Sequence, residues 1–188
     1  NYDYEGCSTK VSGDYIYVAG HREFIAYEYD IFLYKFDRYT HEILSEQYFG
    51  IKNVDDFFSC MLTDSSGNIY LIGTSEGNIS TTPGAFDETH NGGFDIIVMK
   101  IGSDDSIIYS TWLGGSEDDT VSSVSLIDDK LVLVGKTYSS DYNTTAGVFQ
   151  EDDPNIYSKT GFITCIDSTG ANLVFSTYLG GPQDAASH

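Results

Sequence analysis

Short apolar runs rich in Val, Ile, Tyr, Phe and Thr recur along the chain, separated by Gly, Asp, Asn and Ser. None keeps the 3.6-residue spacing of an amphipathic helix over the roughly ten residues a helix needs. In the middle of the chain the runs are "FFSCMLT" (57–63), "NIYLIG" (68–73), "FDIIVMKI" (94–101) and "SIIYSTWLG" (106–114). Each has the length and β-branched, aromatic make-up of a strand. Asp64-Ser65-Ser66-Gly67 joins the first two as a tight hairpin turn in which Gly67 takes positive φ cheaply. "GSDD" (102–105) joins the last two. The pattern predicts four antiparallel strands and almost no helix.

The same four runs return. "YSTWLGG" (109–115) reappears as "FSTYLGG" (175–181), "DSSGNIYLIG" (64–73) faces "IDDKLVLVG" (127–135), and "STTPGAFDE" (80–88) faces "NTTAGVFQE" (143–151). "TGFITCI" (160–166) answers "FDIIVMKI". A more worn copy precedes them: "GDYIYVAG" (13–20), "YDIFLYKF" (29–36) and "ILSEQYFG" (43–50). The period of about 63 residues gives three copies, at 1–50, 51–114 and 115–180, with 181–188 opening a fourth. Tandem four-stranded antiparallel units predict an all-β fold of propeller blades, part of a larger propeller, since rings typically close with about four to eight blades. In this reading the aromatic-Ser-Thr-aromatic-Leu run is the last strand of a blade and Gly-Gly swings the chain into the next. Gly20, Gly73 and Gly135 end the second strand of each blade.

These motifs, in this order, resemble the SBBP-type β-propeller repeat, and the likeness covers essentially all of copies two and three. The first copy departs from it: only a short stretch joins Gly20 to Asp30, where a longer insert joins Gly73 to Asp95. The resemblance implies extracellular propellers in long multi-repeat surface proteins, with no activity assigned to the repeat itself.

Composition narrows the functions. The chain has 188 residues, 40% of them hydrophobic, enough to bury a core. Nine Lys and Arg against 29 Asp and Glu leave a formal charge of -20, a poor surface for nucleic acid or an anionic bilayer. No apolar stretch is long enough for a membrane-spanning helix. The chain begins within a repeat, without Met or a signal-peptide pattern, and reads as a segment or processed product of something longer.

Candidate chemistry is sparse. His21, His41, His90 and His188 fall in or beside predicted loops and form no zinc-holding spacing, and no nucleophile elbow, P-loop or dinucleotide fingerprint is present. Acidic residues follow the blade-closing glycines: Asp55-Asp56, Asp118-Asp119 and Asp184. They form either a rim of oxygen ligands for Ca²⁺ or caps on turn amides between blades, and no other cofactor is expected. Cys7, Cys60 and Cys165 predict buried free thiols rather than a disulfide. Asn78-Ile79-Ser80 and Asn143-Thr144-Thr145 are sequons in matching inserts, and they predict a glycosylated protein.

These features together predict a non-enzymatic, extracellular or cell-surface module, structural or adhesive, that binds protein or glycan through its loops. The alternative is a carbohydrate-active hydrolase or lyase with carboxylates in the propeller channel, which a close carboxylate pair facing a cleft would favour. Three blades leave two open faces for further blades, from this chain or another. Tyr27, Tyr29, Phe32 and Tyr34 are expected on the first, and Phe162, Phe175 and Tyr178 on the last.

Overall fold

The computed structural model describes residues 4–25, 28–50, 54–77, 79–154 and 158–180. Twelve strands and no helix make up the described residues. The first sheet takes β1 (Tyr4–Ser12), β2 (Tyr15–Ile25), β3 (Glu28–Asp37) and β4 (Ile43–Phe49). The second takes β5 (Asp56–Thr63), β6 (Ile69–Ser75), β7 (Asp95–Ile101) and β8 (Ile107–Leu113). The third takes β9 (Asp119–Ile127), β10 (Lys130–Thr137), β11 (Thr160–Ile166) and β12 (Leu173–Leu179). Each sheet is an antiparallel meander in chain order, the build of a propeller blade. Among the described residues the three sheets do not close into a ring, and the fold is an all-β run of propeller blades.

The turns follow from their residues. Gly67 has φ +84, its amide donates to the Asp64 carbonyl at 3.1 Å, and Asp64 Oδ1 accepts from the Ser66 and Asn68 amides. In the turn at 102–105 the left-handed residue is Asp105, φ +69, rather than a glycine.

Alternation gives each blade two apolar faces, and the blades stack through them. Ile31, Leu33, Tyr17 and Ala19 of blade 1 meet Ile69, Leu71, Ile97, Met99 and Trp112 of blade 2 in one core. Tyr70, Ile72, Ile96, Val98 and Leu113 of blade 2 meet Leu131, Leu133, Phe162 and Tyr178 of blade 3 in another. The central blade is therefore covered on both sides: β6 and β7 are buried along their whole length.

Gly20, Gly73 and Gly135 do not end their strands; each second strand runs on past its glycine. The first strand of every blade has a register shift opposite this glycine, between Glu5 and Ser8, Phe58 and Cys60, and Val121 and Ser123. The bulge drives a carbonyl against the glycine: a Cβ there would stand 2.9 Å from the Glu5 oxygen, 2.6 Å from that of Phe57, and closer still to that of Thr120. Only a residue without a side chain fits beside such a bulge.

The predicted outer faces need correction. Tyr29 packs on His21 and Phe57, at the junction with blade 2. Phe162 and Tyr178 are buried against blade 2. Phe32 and Tyr34 do lie on the side of blade 1 away from blade 2, as the alternation with Ile31 and Leu33 requires, and Phe175 lies half-buried on the far side of blade 3 beside Cys165. Tyr27 is outside the described residues. Strand alternation makes two faces but does not say which one meets the neighbour, and the bulges shift the count. The three cysteines are free, but Cys7 is exposed and Cys60 only half-buried; Cys165 alone is buried.

Candidate functional site

Two structures built between the strands carry what chemistry the chain has: carboxylate pairs at the blade junctions, and a strap along the outer strand of blades 2 and 3.

The closing glycines of blades 1 and 2 are where two carboxylates converge. Asp56 Oδ2 and Asp30 Oδ1 crowd the place a side chain on Gly50 would occupy, the latter at 2.7 Å from a Cβ there. Asp95 Oδ1 and Asp119 Oδ2 crowd the same place on Gly114, the latter at 2.9 Å. Asp56, Asp95 and Asp119 are the first residues of β5, β7 and β9, and all three are fully shielded from solvent. Asp119 Oδ2 accepts from the Gly115 amide at 2.7 Å and the Ser139 hydroxyl at 2.9 Å. Asp95 Oδ2 accepts from the Asn91 amide at 2.8 Å, with His90 Nε2 at 3.6 Å. The other oxygen of each, and both oxygens of Asp56, have no hydrogen-bond partner.

Burial pushes Asp56 up to about 7 and Asp119 up to about 6, with neighbouring carboxylates adding to it. Burial also raises Asp95, against the pull of the Asn91 amide and His90. All three carboxyls are thus held above the usual carboxylate range.

Asp55 and Asp118 are turn caps: Asp55 Oδ1 accepts from the Tyr29 amide at 3.3 Å, and exposed Asp118 accepts from the Phe94 amide at 2.9 Å. Ca²⁺ takes about six to eight oxygen ligands. Among the described residues no three His, Cys, Asp or Glu side chains gather for a metal, Asp55, Asp56, Asp118 and Asp119 included. Asp184 and Asn78 lie outside the described residues. Asn143 is half-buried, and its Oδ1 is covered. Of the histidines, His21 sits within β2 rather than a loop, with burial lowering its pKa, while His41 and His90 are in turns and loops.

The second structure explains the recurring Ser-Thr. The Thr82 amide donates to the Ser110 carbonyl at 3.0 Å, and the Ser110 amide donates to Thr82 Oγ1 at 3.1 Å. One residue on, the Asp87 amide donates to Thr111 Oγ1 at 2.9 Å, and the Thr111 hydroxyl and Trp112 amide donate to the Asp87 carbonyl. Blade 3 repeats this with Thr145 on Ser176 and Gln150 on Thr177 and Tyr178. Within the strap, the Gly84 amide donates to Glu88 Oε1 as the Gly147 amide does to Glu151. Every polar residue of Thr-Thr-x-Gly-x-Phe-(Asp/Gln)-Glu thus has a partner, and the insert is latched along the free edge of the last strand.

The strap also reaches forward. The Phe86 amide donates to the Gly170 carbonyl of blade 3 at 2.8 Å, and its ring packs on the core between blades 2 and 3. Its counterpart Phe149 is 81% exposed.

Two clefts open between blades 1 and 2. One, of about 320 Å³, lies among the hairpin turns and is lined by Ser12, Asp14, Tyr15, Tyr17, Ser66 and Ser103, with the Tyr17 hydroxyl buried and without a partner. The other, of about 260 Å³, lies at the outer margin between Tyr48, Phe49 and Gly50 of blade 1 and Ile79, Met99 and Ile107 of blade 2.

Reasoning from sequence missed Asp30 and Asp95 as partners of the post-glycine carboxylates. The available signal was an Asp heading the third strand in copies one and two, with Thr160 in that place in copy three. It missed the latch as well, although Ser-Thr and the insert are both absent from copy one.

Residues 47–80 match the SBBP family, described as a beta-propeller repeat. The span runs from the end of β4 through β5 and β6 into the strap of blade 2. No curated protein matches the chain.

Proposed function

We propose that this chain is a non-enzymatic stretch of an extracellular or cell-surface propeller, a structural or adhesive scaffold that stacks on further blades and engages protein or glycan partners through its loops. The observation that carries the reading is the pair Phe86 and Phe149: the first is seated on the next blade, and the second waits, 81% exposed, at the place where a next blade would take it. Val132, Val134, Ile163 and Phe175 on the same far side of blade 3 are only half-buried, a row of apolar positions that lacks a neighbour.

The loop cleft of about 320 Å³ supports glycan binding. It is at the small end of ligand sites, with the half-buried Tyr15 ring for stacking and serine hydroxyls to pair with a sugar. The alternative, a hydrolase or lyase, would draw on the carboxylate pairs. Asp56, Asp95 and Asp119 are shut off from solvent, Asp30 is half-buried, and none of the four lines either cleft, which favours the binding module. Glycan on Asn78 or Asn143 fits a secreted location, and mass spectrometry of the native protein finding both unmodified would remove that support.

The test of the scaffold reading is sedimentation of residues 1–188 expressed alone. Self-association, or gain of a stable monomer only when further repeats are appended, is expected. A monodisperse monomer with a cooperative melt would overturn it. Release of reducing ends from polysaccharide would overturn the non-enzymatic part.

A further inference from the structure

Blade 1 lacks the strap, and its last strand is left bare as a result. β8 buries its last five residues, whereas β4 buries none. Registers of the two blades superpose strand for strand: Tyr34 pairs with Glu46 as Met99 pairs with Ser110, and Phe32 pairs with Tyr48 as Ile97 pairs with Trp112. Both sheets shift register at the same place, after Lys35 and Lys100. The backbone groups that hold the strap in blade 2 are those of Ser110 and Trp112, so the matching outward groups in blade 1 are those of Glu46 and Tyr48. No described residue bonds to them. Unpaired edge groups of this kind are a template for another strand.

We propose that the outer edge of β4 is a docking site for an extended polypeptide segment, added to blade 1 as a fifth strand, with apolar residues on one side and basic residues on the other. The occupant is not a copy of the strap. That motif needs a threonine hydroxyl one residue before the aromatic, and here Gln47 turns away to donate from Nε2 to the Asp105 carbonyl of blade 2 at 2.8 Å. Backbone pairing is what remains, and it reads shape rather than sequence.

The two sides of the edge give the added strand its pattern. Toward blade 2 it runs beside the 260 Å³ cleft walled by Phe49, Ile79, Met99 and Ile107, which takes an apolar side chain. On the opposite side Glu46 is exposed beside Tyr48 and Tyr34, with the Arg22 guanidinium 3.8 Å over the Tyr48 ring and exposed Glu42 nearby in the chain, so that two carboxylates face one resident cation on a protein of formal charge -20. A Lys or Arg there meets opposite charge, and an acidic segment is repelled. The inference concerns purified components and holds whether or not the chain is extracellular, so its failure leaves the scaffold reading standing.

The test uses residues 1–188 and a fluorescein-labelled nine-residue peptide alternating Lys with Val, read by anisotropy, beside the same peptide with Glu for Lys. Saturable binding is expected for the first, at least tenfold weaker binding for the second, and about tenfold loss with Glu46→Pro, which removes one outward amide at an edge position that tolerates proline. Hydrogen exchange of the unmodified protein supplies a readout free of any folding defect: the Glu46 and Tyr48 amides should slow on adding the Lys peptide. No saturable binding, equal binding of both peptides, or unchanged exchange at these two amides overturns the proposal. So does concentration-dependent dimerisation abolished by Glu46→Pro, which would assign the edge to a second copy.

Discussion

Blades 1 and 2 share strand order, register and bulge positions, yet one leaves its outer strand bare and the other straps it down. The difference shows that the Ser-Thr of the closing strand is not strand vocabulary. It is one half of a lock whose other half is the Thr-Thr-x-Gly-x-Phe insert, and copy one lost both halves together: Glu46 and Gln47 stand where Ser110 and Thr111 stand in blade 2. A blade can therefore be complete as a sheet and still be open as a surface.

The largest expected effect tests the junctions on either side of blade 2. Asp56 and Asp119 bind protons more tightly folded than unfolded, at about 7 and about 6 against about 3.9 for an unperturbed Asp. Native protein then carries the extra protons between these values, so stability falls as pH rises. Their contribution is complete below about pH 4 and gone above about pH 7, and urea melts at about pH 5 should show a higher midpoint than at about pH 8. Asp119→Asn keeps an acceptor for the Gly115 amide and Ser139 hydroxyl. It should gain on the order of 3 kcal/mol relative to the unmodified chain at about pH 8 and little at about pH 4. The same pH dependence in the variant would refute the assignment.

Next comes the lock itself. Thr111→Val removes the acceptor of the Asp87 amide and one donor to its carbonyl, and thermal or urea melts should show a loss of about 2 kcal/mol, with Thr177→Val alike. In blade 1, Gln47→Val should cost about 1 kcal/mol, since only its bond to Asp105 is lost. Equal losses at all three positions would mean the strap contributes nothing particular.

The architecture is legible because its signals are local: the Asp64 to Gly67 turn, the strand runs and the closure at Leu113-Gly114-Gly115 stand at their predicted places. What escaped depends on pairing across distance. Asp30 meets Asp56, and Asp95 meets Asp119, only because Gly50 and Gly114 bring the third strand of one blade to the first strand of the next. Tyr29, Phe162 and Tyr178 pack against blade 2, not outward, because the alternation does not reveal which side the chain folds over. The glycines of the second strands were read as strand ends, whereas the carbonyl of the neighbouring bulge is what excludes a side chain there.

The smallest single effect comes from setting blade 2 beside blade 3. Phe86→Ala should cost about 2 kcal/mol by the same melts, because the ring is half-buried on the second core. Phe149→Ala should change stability by less than about 0.5 kcal/mol in this chain, as surface substitutions do. Appending a further repeat should bring the two values together.

The forward reach of Phe86 gives the stack a direction. Blade 3 is clasped by the blade made before it, so on leaving the ribosome it finds its clasp already waiting, whereas the seam between blades 1 and 2 has no strap across it. Genetic duplication or loss of one whole unit then leaves the remaining seams intact, while an exchange that cuts between a strap and the blade it grips does not. Related genes are expected to vary in repeat number in whole steps, with their breakpoints at the closing glycines.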